Sequence, residues 1–166
     1  MKPNFALSLS YDGLRLMHRV TGGWHMVGEV ALDDADLTGT LERLRGAAEG
    51  LEPGGISTKV LIPNDQIKYL ALDTTRAEHD DVREALHGAT PYAVDDLVYD
   101  YVKGGGRTYV AAVAKETLNE AEQFAAEYGF KPVCFAAVPE PFTFVGEAFF
   151  GAVNGFDVVR DEESVV

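Results

Sequence analysis

Cysteine is nearly absent: the 166 residues contain one, Cys134. That rules out an internal disulfide and a four-cysteine metal cage, and it suits a reducing compartment. Positive charge is also scarce. Fourteen Lys and Arg stand against 27 Asp and Glu, a net charge of −13, so the chain repels phosphate backbones and no nucleic-acid binding is expected. Long apolar runs are missing. The most apolar region, Cys134 to Phe150, is interrupted by Pro139, Glu140, Pro141 and Glu147, so it falls short of the roughly 18 to 20 residues that a membrane span requires. Met1 to Ser10 holds one Lys and too few apolar residues, and is not expected to be a signal peptide. The expectation is a cytoplasmic chain without a membrane span of its own. There is enough apolar material for a core: 46% of residues are hydrophobic, including 9 Phe and 7 Tyr, which excludes a largely disordered chain. The length fits one domain.

Phe5, Leu7 and Leu9 alternate with Ala6, Ser8 and Ser10, the period of a strand. Tyr11-Asp12-Gly13 supplies a turn, Leu14 to Val20 a second strand, Thr21-Gly22-Gly23 another turn and Trp24 to Leu32 a third strand. Leu37, Leu41, Leu44 and Ala48 form one helical stripe. Asp33, Asp34 and Asp36 precede it, where carboxylates suit the helix dipole, and Gly50 with Pro53-Gly54-Gly55 ends it. Two strands, Ser57 to Ile62 and Gln66 to Leu72, flank Pro63-Asn64-Asp65. Thr75 and Glu78 have the spacing of a capping box and predict a helix reaching about Gly88. Leu97 to Val102 and Tyr109 to Ala114 alternate around Gly104-Gly105-Gly106 as a hairpin. A third helix runs from Lys115 to Tyr128, with Leu118, Ala121, Ala125 and Tyr128 on one stripe and Gly129 as its cap. Val133 to Val138 reads as a strand, and Pro141 as the first turn of a last helix reaching about Phe150. The order βββ-α-ββ-α-ββ-α-β-α predicts an α/β fold: a mixed sheet opened by a three-stranded meander, with flanking helices. Residues 154–166 are acidic, lack periodicity and read as a disordered tail.

Candidate chemistry is sparse. A phosphate cradle needs a helix directly after its glycines, whereas a strand follows Gly104-Gly105-Gly106, so a plain hairpin tip is expected. Cys134 sits between Val133 and Phe135 and reads as a buried small hydrophobe. His18, His25, His79 and His87 lack metal-ligand spacing. Asp95, Asp96 and Asp100 cluster near a strand start, but neighbouring aspartates point to opposite faces and converge poorly on a cation. No metal, cofactor or catalytic triad is expected.

Read together, the segments TPYAVDDLVYDYV (Thr90 to Val102) and YVAAVAKETLNEAEQFAAEYGFKPVCFAAVPEPF (Tyr109 to Phe142) resemble the first half of the actin-like M protein of bacterial type IV pilus assembly. They are similar also to the cytoplasmic domain of the type II secretion L protein. The features carrying the likeness are Pro91-Tyr92, Asp95-Asp96, Asp100-Tyr101, the strand Val110 to Ala114, Gly129, Val133 to Val138 and Pro141. The opening meander, VLIPNDQIKYLAL (Val60 to Leu72) and the Thr75 helix fall where that family has them, so the likeness spans about residues 4 to 150. The resemblance implies the ribonuclease H-like, actin-like ATPase fold: a half domain over 1–153, with a small inserted strand and hairpin region within about 57–109. Relatives that bind nucleotide carry Asp and Gly in the first hairpin; Ser8 and Ser10 stand at the matching positions here. The second half of such an ATPase is not in this sequence, so no complete ATP site is expected.

The function the resemblance implies is a non-enzymatic cytoplasmic docking domain, peripheral to the inner membrane, in a pilus- or secretion-like assembly. Its partner would be an inner-membrane assembly protein or a secretion ATPase, with a homodimer as a further expectation. The chain would be the amino-terminal part of a longer membrane protein. The alternative is a divergent nucleotide-dependent or hydrolytic enzyme of the same fold. Phe142, Val145 and Phe149 would dock the last helix, with Phe144 and Phe150 pointing away from that stripe. Two readings stay open for Phe144 and Phe150: an exposed partner-binding patch, or burial beneath a tail folded back through Phe156, Val158 and Val159.

Overall fold

The computed structural model describes residues 1–165. The opening alternation forms the meander β1 (Phe5–Leu9), β2 (Gly13–Val20) and β3 (Gly23–Ala31), paired antiparallel in order. Helix α1 (Leu37–Leu51) starts at Asp36, whose carboxylate accepts from the Gly39 N–H at 3.2 Å. It returns the chain to β4 (Thr58–Leu61), parallel to β1. A single 3-10 turn, Asn64–Gln66, leads into β5 (Ile67–Leu72). Then come α2 (His79–Leu86), a second 3-10 turn at Val94–Asp96, and the hairpin of β6 (Leu97–Gly104) and β7 (Arg107–Ala114). Helix α3 (Lys115–Glu127), β8 (Pro132–Ala137) and β9 (Ala148–Ala152) follow.

The strands form two sheets: six strands in the order β3-β2-β1-β4-β8-β9, and three in the order β5-β7-β6. On the front of the large sheet, Phe5, Leu7, Leu16, Val60 and Phe135 pack against Leu41, Leu44 and Ala48 of α1 and Leu118, Ala121 and Ala125 of α3. Burying each such leucine contributes about 1.5–3 kcal/mol. Helix α1 lies so close that a Cβ on Gly28 would meet the Leu44 side chain at 2.8 Å. The small sheet is covered on both faces: Ala111 and Val113 of β7 join the main core, while Val110 and Ala112 pack on Val82 and Leu86 of α2.

Several expectations change. Helix α2 begins at His79, with Asp81 accepting from the Glu78 N–H at 2.8 Å, so the cap is one turn later than Thr75 implied. The inserted region also shifts: β4 belongs to the main sheet, and the small sheet runs from Ile67 to Ala114. The largest correction is the last helix. Residues 141–147 are turns, and β9 pairs antiparallel with β8. Gly146 and Gly151 take φ of 73° and 104°, and Phe142 takes 69°, backbone values that a right-handed helix cannot use. The strand period explains burial where the helical stripe did not. Phe150 joins the front core and Phe149 the back, and Phe142 is 96% exposed.

Phe144 and Phe150 are therefore core residues, 7% and 5% exposed, and not a partner-binding patch. Residues 154–165 do not trail away either. Val158 and Val165 are buried against the back of the large sheet, although Phe156 and Val159 stay exposed. Phe150→Ala is expected to cost about 3–5 kcal/mol in urea unfolding. Phe142→Ser should stay within about 0.5 kcal/mol, since a free surface ring loses little on truncation. Equal costs would contradict the strand.

Candidate functional site

The first hairpin, where the resemblance would place phosphates, is a shallow depression of about 390 Å³ lined by Ser8, Ser10, Asp12, Arg15 and Glu29 among others. Ser10 is used by the turn itself: its hydroxyl donates to the Gly13 carbonyl at 3.0 Å and accepts from the Gly13 N–H at 3.2 Å. Glu29 is paired with Arg15 across β2 and β3 at 3.0 Å. Ser8 thus has hydroxyl chemistry and one neutralised carboxylate nearby. Among the described residues, no three His, Cys, Asp or Glu side chains gather as a cation site.

The strongest charge constellation lies on the back of the large sheet and was not singled out from the sequence. Lys59 of central strand β4 is 1% exposed. A cation so far from water must be paired. Its ammonium donates to both carboxylate oxygens of Glu147, at 2.8 and 3.1 Å, and to Asp161 at 3.2 Å. Asp161 also accepts from both terminal nitrogens of Arg19. Trp24 covers the cluster, with its ring centroid 4.4 Å from the Arg19 guanidinium carbon and 5.0 Å from the Lys59 nitrogen. A third carboxylate, the half-exposed Glu163, lies 3.8 Å from Arg19 at the rim of the cluster. The sequence signal was present: a lysine immediately before the apolar run Val60-Leu61-Ile62, within an expected strand, demands a carboxylate from elsewhere once that strand is central.

The two carboxylates are pushed in opposite directions. Burial raises Glu147 above the ordinary Glu value against the pull of Lys59. Burial also opposes ionisation of Asp161, but its hydrogen bonds from Arg19, the Glu163 N–H and Lys59 win and hold it at about 2. Beside this cluster, burial pushes the Cys134 thiol up to about 12, so it is a packing group and no nucleophile at neutral pH.

The other singled-out residues are dispersed. Asp95 pairs with Arg83 at 2.6 Å. Asp100, instead of turning to a cation, accepts from the Phe149 N–H at 2.9 Å and pairs with Arg160, so it ties the small sheet to the edge of the large one. His18 stacks on Phe5 and bonds Glu52 at 2.8 Å, and His79 contacts Tyr99. Gly104-Gly105-Gly106 forms the tip between β6 and β7, with Gly105 and Gly106 at positive φ. No helix among the described residues is long and apolar enough to cross a membrane.

No protein-family model matches the sequence, and no curated protein does. Solved structures do. The cytoplasmic domain of EpsL, an inner-membrane component of the type II secretion system of Vibrio cholerae, superposes with a TM-score of 0.57 over 83% of this chain and 60% of that one, at 14% identity. A PilM–PilN type IV pilus biogenesis complex matches with a TM-score of 0.57 over 81% of this chain and 47% of that one, again at 14% identity. The chain has the actin-like ATPase fold. It spans less than two thirds of the length of either structure, so the likeness covers only part of the actin-like unit in each. The expected fold class and the expected likeness to pilus and secretion proteins both hold.

Acid titration should read the Asp161 contact. Its folded value is depressed from 3.8 to about 2, so the stability it contributes is present above pH 3.8 and is lost as the pH falls toward about 2. Glu147 works the other way, because taking up a proton relieves a buried charge. Emission of Trp24, the single tryptophan, should therefore report two steps on acidification, Glu147 taking up its proton first, above the ordinary Glu range, and Asp161 only near pH 2. A single step within the ordinary carboxylate range would assign the contact to other groups.

Proposed function

We propose that the chain is a non-enzymatic docking domain on the cytoplasmic face of an inner-membrane assembly of the pilus or secretion type. What supports this is the fold shared with two assembly proteins, combined with a first hairpin that carries Ser8 and Ser10 where the resemblance expects phosphate-contacting Asp and Gly. Ser8 lacks the charge to hold a nucleotide's magnesium, and Glu29 in the same depression is already neutralised by Arg15. The partner is a protein component of the same assembly, either its inner-membrane subunit or its ATPase. With a net charge of −13, the domain favours a basic contact surface on that partner.

The test is chemical cross-linking of the tagged chain in its native membranes, followed by identification of the captured proteins. A pilus- or secretion-assembly component should be recovered, and its yield should fall as salt screens the contact. Calorimetry with millimolar ATP and magnesium should show no saturable heat. Saturable one-to-one ATP binding, or capture of no assembly component, would overturn the reading.

A further inference from the structure

In the turn between β8 and β9, Phe142 stands almost wholly in solvent, and Val138 and Val145 are exposed with it. The backbone there is unusual as well. Phe142 takes φ of 69°, a left-handed conformation that a bulky side chain seldom adopts and that the surrounding chain has to hold. The holding contacts lie on both sides of the ring. The Asn64 side chain donates to the Val138 carbonyl at 2.9 Å and accepts from the Tyr69 hydroxyl at 2.6 Å. The Thr143 hydroxyl donates to the Glu140 carbonyl at 2.6 Å, and Pro139 and Pro141 fix two further backbone angles. Next in the chain, Phe144 is set in the core beside Tyr69. Val145 seats so closely on the β6–β7 hairpin that a Cβ on Gly104 would meet it at 3.1 Å. A loose surface ring needs no such fixing. A ring that meets a partner gains from it, because order supplied in advance is not lost on binding.

The free charge at the turn is negative. Glu140 is exposed beside the ring, and residues 132–159 contain no Lys or Arg. Cations on the neighbouring small sheet are turned away or engaged. Lys68 and Lys103 alternate to its α2 face, as Leu70 and Tyr101 do, and Arg107, opposite Gly104, is paired with Asp73. Two occupants fit this surface poorly. A second copy meeting it about a twofold axis through Phe142 would set Glu140 against its own counterpart, on a chain of net charge −13. An anionic lipid surface would repel the same charges. We propose that the 139–145 turn is a rigid docking knob for a protein partner, whose receiving surface is an apolar pocket for the Phe142 ring with a Lys or Arg at its rim for Glu140. The inference rests on the docking role proposed above and names the surface that carries it.

The test uses the full chain in its native membranes, with a photoreactive benzoylphenylalanine ring placed at Phe142 and, as a control, at Met26, which is exposed on the far edge strand β3. On irradiation the ring at 142 should join a pilus- or secretion-assembly component through a peptide that sets Lys or Arg beside apolar residues, and the ring at 26 should not. Phe142→Gly and Glu140→Lys should each lower chemical cross-linking of that component about tenfold. Phe142→Gly should melt no lower than the native chain, because glycine adopts φ of 69° without strain. If the native chain captures no assembly component, the docking role falls and the knob with it. If Phe142→Gly captures the component as well as the native chain does, the docking role stands and the knob is overturned. Joining of the ring at 142 to a second copy, flotation with phosphatidylglycerol vesicles that Phe142→Gly abolishes, or loss of capture only together with a lowered melting temperature would overturn it too.

Discussion

One buried ammonium organises the back of this molecule. Lys59 stands on β4, the strand that joins the meander to the parallel pair, and its side chain points away from the helices. An unpaired cation there would cost several kcal/mol. Two carboxylates distant in sequence are therefore drawn to one point: Glu147, from the turn before β9, and Asp161, from beyond it. Their arrival decides where residues 147–165 run. It places Phe149 and Val158 over β8 and brings Val165 over β1 and β4. The front of the sheet needs no such device, because α1 and α3 present leucine and alanine stripes to it. Thus one face of the sheet is closed by apolar helices and the other by a charge-keyed extended segment.

What was legible in the sequence follows the same division. Phe5, Leu7 and Leu9, the α1 stripe, the β6–β7 hairpin and the α3 stripe are local patterns, and each element lies within a residue or two of its expected place. The Thr75 cap failed because two candidate boxes overlap three residues apart, and Glu78 with Asp81 won. The last helix failed for a sharper reason. Phe142, Val145 and Phe149 satisfy a helical period, while Ala148, Phe149 and Phe150 are equally a strand buried on both faces, which periodicity alone cannot separate from a helix. Gly146 and Gly151 were the deciding signal. The docked terminal segment was hidden by its acidity. Charge suggests solvent, yet Asp161 is paired by residues that lie 142 and 102 positions away. No window of sequence contains both ends of that bond.

The two sheets depend on a second carboxylate in a comparable way. β6 and β9 are edge strands of different sheets and share no ladder. Asp100 bridges them by accepting the Phe149 N–H and pairing with Arg160. A side chain here replaces a row of backbone hydrogen bonds, and it blunts the exposed edge of β9, which would otherwise offer unpaired amides to another chain. Two of the three aspartates around the start of β6 are therefore explained by structure: Asp95 by Arg83, Asp100 by the sheet junction.

Both carboxylate devices converge on β9 and the segment after it. Glu147 immediately precedes the strand, Asp100 holds its amide, and Arg160 touches both the Glu147 carbonyl and Asp100. The hairpin at Ser8 and Ser10, by contrast, spends its polar groups within its own turn and on the Arg15–Glu29 pair. The fold thus concentrates its electrostatics at the back of β4 and the edge at β9, not at the hairpin end of β1. Charges at the hairpin would face a ligand entering from solvent. At the back of β4 and the edge at β9 they face other parts of the same chain, where they hold the sheet edge and the segment after β9 in place.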